Sequence, residues 1–406
     1  MVYLFASGYY LRLLCVPLIA TCWFFTSESC NGQAAVAQPP METASVQLPE
    51  PKTQLVVPVT SIPRAAFPVV DVHTHFWVKG KHDVELLGRY VEMMNRNNIA
   101  VCVSLDGTLL KRLDEHAEFL WREHRDRFLI FANIDFRGGG EVDRPETWDC
   151  NQPDFVRRMV ESLRQEVATE RVSGLKFFKD FGLRYRNSDG TLVTIDDPRW
   201  DPIWQVCSEL GIPVIMHTAD PSAFFEPLDS RNERFFELSV HPDWSFAAPG
   251  FPSRQSLHEA RNRVIERHPK TVFIAAHLGN DGENLAELSQ WMDRYPNLVV
   301  EFASRINELG RQPKTAEHFL VKYQDRVLFG TDGPWPESRL RLYWRFLESE
   351  DEYFPYSEKS PYPQGDWRIY GLGLDATVLE KIYNANAVRI IPGLRKKLLR
   401  YTDSVR

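Results

Sequence analysis

Eight short apolar runs, separated by amphipathic stretches, constrain this chain more than any other feature of its sequence. The runs are VVDVHTHF (69–76), IAVCVSL (99–105), FLIFANID (128–135), VSGLKFF (172–178), IPVIMHT (212–218), TVFIAAH (271–277), LVVEFAS (298–304) and VLFGTDG (327–333). Between them lie stretches with helical spacing, such as DVELLGRYVEMMNRNN, PDFVRRMVESLRQEVA, PRWDPIWQVCSEL and NLAELSQWMDRYP. Strands that are apolar on both faces and alternate with helices read as parallel α/β architecture. Eight such units are the number that a (β/α)8 TIM barrel requires. A doubly wound open sheet is the competing arrangement, but no glycine-rich phosphate loop follows the first run.

The barrel is expected over 67–400. Before it, residues 38–66 are rich in proline and lack periodicity, which reads as a linker, with QLVVPV the part most suited to lie against the barrel. Residues 1–37 hold the apolar run Leu13–Phe25 behind Arg12 and the small-x-small triplet Ala35–Ala37. That is the pattern of an export signal. Retention as a membrane anchor and a lipidated leader ending at Cys22 are the alternatives. The expected location is therefore periplasmic or cell-surface, with membrane contact only through this segment if it stays uncleaved. Six cysteines are present, three of them in this first part, and none has C-x-x-C spacing. This gives neither a disulfide framework nor a thiolate metal site. The net charge of −7 and the lack of a basic stripe exclude nucleic acid as a partner.

Polar residues collect at the C-terminal ends of the apolar runs, where barrel active sites sit. Run one gives His73 and His75, two apart and so on one face of a strand. Run four gives Lys176, run five His217, run six His277 and run eight Asp332. A single histidine at a strand end is usually a hydrogen-bonded core residue. Four of them with an aspartate at one end of one barrel point to a divalent transition metal, since imidazole and carboxylate suit zinc and also manganese, iron or nickel. Two longer segments, 219–256 and 334–374, leave the same face and carry many aromatic residues. Arg231, Arg234, Trp244 and Trp335 from them, and Arg305 after run seven, are candidate substrate contacts. Asp106, at the end of run two, faces the same way.

In this order, DVHTHF, GLKFF, GIPVIMHT, AAHLG and LFGTDGPW resemble the amidohydrolase superfamily. They are most similar to its branch containing aminocarboxymuconate-semialdehyde decarboxylase and related hydrolases, hydratases and lactonases. The segment LEKIYNANAVRII (379–391) resembles that branch's last helix. The resemblance implies that His73, His75, His217 and Asp332 ligate one metal, with zinc the leading choice. It implies that His277 is the acid/base, a role for which Asp332 competes. Lys176 would be a carboxylated bridge to a second metal, a substrate contact, or simply an ion-pair partner of Asp135 or Glu301. The activity it implies is hydrolysis of a small amide, lactone or ester by metal-activated water. Non-oxidative decarboxylation of an aromatic or unsaturated acid is the alternative, and a non-catalytic metal-binding barrel stands behind both. The partner is then a small-molecule substrate, and a homodimer is an expectation carried by the branch alone.

Overall fold

The computed structural model describes residues 53–360 and 362–405. The leader expected over 1–37, and the linker up to residue 52, lie outside the described residues. The unit that begins at Val57 contains every element named below.

The apolar runs form eight strands: β1 (Val69–Thr74), β2 (Ile99–Ser104), β3 (Phe128–Asn133), β4 (Gly174–Phe177), β5 (Val214–Met216), β6 (Phe273–Ala275), β7 (Leu298–Glu301) and β8 (Val327–Leu328). They pair in sequence order, each parallel to the next. Main-chain bonds from Val72 N–H to Phe329 O (3.0 Å) and from Asp332 N–H to His73 O (2.8 Å) join the last strand to the first. The fold is the (β/α)8 barrel.

The helices up to β4 are α1 (Phe76–Gly80), α2 (Val84–Arg96), α3 (Leu113–His124) and α4 (Phe155–Ala168). A kinked turn α5 (Asp180–Leu183) precedes α6 (Asp201–Leu210), α7 (Phe235–Val240), α8 (Arg254–Arg267) and α9 (Leu285–Arg294). Then come α10 (Ile306–Arg311), α11 (Pro313–Lys322), α12 (Glu337–Glu348), α13 (Ala376–Glu380), α14 (Asn386–Ile390) and α15 (Leu394–Ser404). Helix α2 shows why these segments are helical. Asp83 caps it by accepting from Leu86 N–H at 2.9 Å, and Leu87, Tyr90, Val91 and Met94 form the buried stripe.

Each strand is buried along its whole length, and its side chains alternate between two apolar layers. Val70, Val72, Val101, Val103, Leu129, Phe131, Ile215, Ile274, Val299 and Leu328 fill the barrel interior. Val69, Ile99, Cys102, Ile130, Val214, Phe273, Val300 and Val327 face the helices. The interior is packed to the point that Gly174 is obligatory, because a Cβ there would stand 2.6 Å from the Phe131 ring. The opposite end is stopped by α14 and α15: Ile391, Leu394 and Tyr401 join the interior layer, and Tyr401 reaches Asn98 Oδ1 at 3.2 Å. Asn386, in the family-like segment, donates to Gln324 O and Val327 O, so its role is to anchor this stopper to β8. Cys102, Cys150 and Cys207 are buried free thiols. No helix among the described residues is long and apolar enough to cross a membrane.

The end of the linker is fastened down. Thr60 donates from N–H (2.6 Å) and Oγ1 (2.7 Å) to Asp351, whose carboxylate also meets Arg345 Nε at 2.6 Å. The two long segments fold back over the barrel and lock to it. Arg234, after β5, is buried between Glu237 (2.8 Å) and Glu308 of α10, with Trp367 of the second segment 5.2 Å from its guanidinium.

Candidate metal centre

His73 is the penultimate residue of β1, and His75 stands at the N-terminal cap of α1. Their Nε2 atoms stand 3.1 Å apart. Asp332 Oδ1 lies 4.0 Å from His73 Nε2 and 3.6 Å from His75 Nε2. The other face of each ring rests on a buried carboxylate: His73 Nδ1 on Glu301 Oε1 at 2.8 Å, and His75 Nδ1 on Asp106 Oδ1 at 2.9 Å. A proton on each Nδ1 turns two Nε2 lone pairs and one carboxylate oxygen toward one another, a donor set that suits a cation. A carboxylate behind each ligating imidazole is how metal-binding histidines are usually oriented. The residues therefore fit a divalent ion, and the three groups lie within 4.8 Å of one another.

The backbone is shaped to make this convergence. Asp332 has φ +62°, and His277 has φ +56° followed by Leu278 at +59° and Gly279 at +64°. Non-glycine residues held in this region cost roughly 1–3 kcal/mol each. Asp71 repays part of it: its carboxylate accepts from His73 N–H and Thr331 N–H (both 3.1 Å) and from Thr331 Oγ1 (2.5 Å), tying the residue before Asp332 to β1. Burial pushes the Asp71 carboxyl up to about 7 against those bonds.

His277 adjoins the cluster, its ring centroid 4.7 Å from that of His73. Its Nδ1 bonds Ala303 O at 2.7 Å, and its N–H donates to Glu301 Oε1 at 2.8 Å. Nε2 is thus the free acceptor. Burial, then the charges of His217 and Arg305, lower its pKa to about 3, so the ring is neutral at ordinary pH. Asp332 is the converse. Burial would raise its carboxyl, but Lys79, His73, His75 and His277 outweigh it and hold the group well below the usual carboxylate range.

His217 stands apart from the His73–His75–Asp332 cluster. Its ring lies 4.6 Å from that of His277, and its Nε2 faces Asp220 Oδ1 at 3.4 Å. Asp220 in turn is bound by Lys179 at 2.6 Å. Lys176 has neither of the ion pairs considered for it, since Asp135 takes Lys111 at 2.7 Å and Glu301 is occupied by His73 and His277. The Lys176 ammonium is buried without a hydrogen-bond partner, 5.1 Å from the Phe178 ring centroid. Burial lowers its pKa to about 8.

Of the other candidates, Arg231 projects into solvent, paired with Asp229 at 2.7 Å. Arg234 is consumed by Glu237 and Glu308 and holds the loops together. Trp244 stacks on His241 at 4.0 Å within its own segment. Trp335 reaches the rim of the cluster, its Nε1 donating to Thr331 O at 2.7 Å. Arg305 is buried beside His277 and bonds only neutral acceptors, Ser304 O (3.0 Å) and Asn280 Oδ1 (2.6 Å). Sequence reasoning missed Lys79, whose ammonium contacts the Asp332 main-chain oxygen and lies 3.2 Å from Oδ1. It also missed Glu301 as the orienter of His73. The only sequence signal for Glu301 is a charge inside the apolar run LVVEFAS.

A family model described as an amidohydrolase matches residues 70–393. The chain belongs to the amidohydrolase family. Three solved structures to which the chain is similar are the following. The 2,6-dihydroxybenzoate decarboxylase from Rhizobium is 17% identical over 80% of this chain and 98% of its own, with a TM-score of 0.47. A dihydroxybenzoic acid decarboxylase from Polaromonas sp. JS666, with bound manganese and the inhibitor 2-nitroresorcinol, is 13% identical over 80% and 96%, with a TM-score of 0.46. The 4-oxalomesaconate hydratase from Rhodopseudomonas palustris is 12% identical over 83% and 100%, with a TM-score of 0.45.

Proposed function

We propose that this amidohydrolase-family protein is a metal-dependent lyase that removes CO2 from a small aromatic or unsaturated carboxylic acid. One observation carries the reading. Lys176 and Arg305 are buried cations flanking the histidine cluster, and among the described residues neither has a carboxylate within ion-pairing distance. A buried charge that makes no direct ion pair is costly, even with carboxylates further off, such as Glu301 for Lys176. A substrate carboxylate supplies the missing anion, whereas a neutral amide, lactone or ester leaves both cations unpaired.

A divalent ion held by His73, His75 and Asp332 would supply Lewis acidity toward the substrate's oxygen atoms. His217 would be a further ligand of that ion. Arg305 and Lys176 hold the carboxylate, and its negative charge raises the proton affinity of the neighbouring His277. His277 Nε2, the free acceptor, takes up a proton from solvent as the carboxylate binds and passes it to the carbon that carries the carboxylate. The C–C bond to the carboxyl then breaks, its electron pair returns to the carbon framework, and CO2 leaves. Solvent restores the proton.

Hydrolysis by metal-activated water is the second reading, favoured by the partly exposed Asp332 carboxylate, which is placed to accept a proton from water. The deciding experiment supplies zinc or manganese to the purified protein and incubates it with hydroxybenzoic and unsaturated dicarboxylic acids, and separately with lactones and amides. CO2 release matched to loss of the acid is expected. Acid production from a neutral lactone, with no CO2 from any acid, would replace the lyase by the hydrolase.

A further inference from the structure

Lys79 makes three contacts at the rim of the metal cluster. Its ammonium bonds the Asp332 main-chain oxygen, lies 3.2 Å from Asp332 Oδ1, and sits 4.1 Å from the Trp335 ring centroid. The indole is a fixed platform, because its N–H is spent on Thr331 O and Arg339 stacks against it at 4.1 Å. The lysine is delivered by a fixed element too. Asp106 Oδ2 accepts from Trp77 N–H (2.7 Å) and Val78 N–H (3.2 Å) at the start of α1, while Oδ1 of the same carboxylate orients His75. One aspartate thus positions both His75 and the helix that presents Lys79.

Asp332 Oδ1 is the oxygen that faces both imidazole Nε2 atoms, and it is also the oxygen that Lys79 holds. We propose that Lys79 is the resident counter-ion of the metal site: its ammonium neutralises Asp332 until a divalent cation displaces it, so metal uptake is an exchange of one cation for another. The inference rests on His73, His75 and Asp332 being metal ligands. A dication and an ammonium on one carboxylate oxygen are like charges in a small volume, and the repulsion is set against metal affinity. Lys79 also lines a neighbouring cavity of about 340 Å³ whose other walls include Phe76, Asp83, Arg89, Tyr90 and Trp335.

The test is a zinc titration of chelator-treated full-length protein against a chromophoric chelator, with no substrate present. Lys79→Met is expected to bind zinc at least tenfold more tightly than the wild type, because it removes the competitor and leaves every ligand in place. Lys79→Arg keeps the cation and is expected within about threefold of the wild type. Should Lys79→Met fail to fold by circular dichroism, Lys79→Gln takes its place. Equal or weaker zinc binding by the neutral variant, with normal binding by the wild type, overturns the counter-ion role and leaves the metal site standing. Zinc taken up by none of the proteins overturns the metal site and this inference with it.

Discussion

Glu301 accepts the Nδ1 proton of His73 at 2.8 Å, and the same Oε1 receives the main-chain N–H of His277 at 2.8 Å. Its second oxygen takes Ala303 N–H at 2.5 Å. One buried carboxylate therefore fixes the tautomer of a candidate metal ligand and the backbone of the candidate acid/base together. Glu301→Gln keeps the shape but presents an N–H or a weaker acceptor to His73. Metal affinity is expected to fall about 10- to 100-fold. Metal content after dialysis against graded chelator measures it, with about one transition metal per chain expected for the wild type and none for His73→Ala. Unchanged affinity in Glu301→Gln would show that Glu301 does not tune His73 as a ligand.

Lys176 sets stability against function. Its buried ammonium has no partner, so Lys176→Met is expected to stabilise the free protein, by on the order of 1–3 kcal/mol, as the apolar chain settles against Phe178. The same variant loses a carboxylate contact, so KM for the acid substrate rises with a smaller change in kcat. A lower melting temperature would mean that the ammonium finds a partner in the folded protein.

Arg305→Met removes the second cation while Asn280 keeps its bonds to Thr218 O and Ala219 O (both 3.0 Å). Loss of a charge-assisted bond to the substrate is expected to weaken binding by roughly 1.5–3 kcal/mol, about 10- to 150-fold in KM. Steady-state kinetics on an acid found to release CO2, with zinc content checked in parallel, reads this directly. A fall in kcat alone would assign Arg305 to the reaction step rather than to binding.

The protein should weaken in mild acid for a reason lying beside the site. His116 is buried, with Ser104 Oγ at 2.8 Å and His82 at 2.7 Å. Burial lowers its pKa from 6.5 to about 4, against the nearby Asp106 carboxylate and with the added charge of His82, itself lowered. The unfolded chain takes up the proton first, so this contribution is whole above pH 6.5 and is lost as pH falls toward 4, on the order of 2–3 kcal/mol. Urea midpoints at pH 7 and 4.5 should therefore drop further for the wild type than for His116→Gln. Parallel profiles would remove His116 as the cause.

The barrel was legible in the sequence because each strand is buried along its whole length and so reads as a mostly apolar run, leaving little but order and number to decide. The strand-end residues were legible for the same reason, since a histidine or aspartate stands out at the end of such a run. Arrangement within the site was not. Nothing in AAHLGN announces four consecutive left-handed residues, His277 to Asn280. The spacing of His217 does not reveal that Asp220, three residues on, would compete for its Nε2. Arg234 and Arg231 are equally basic in sequence. What separates them is whether Glu308, 74 positions from Arg234, comes within reach, and only tertiary structure determines that.

The plugged interior has a consequence for traffic. With Phe131 and its neighbours filling the barrel and Tyr401 packed at the far end, His277 is approached from the C-terminal rim. Substrate and organic product share that approach, so a departing product blocks the next arrival, and its inhibition of the enzyme will be competitive.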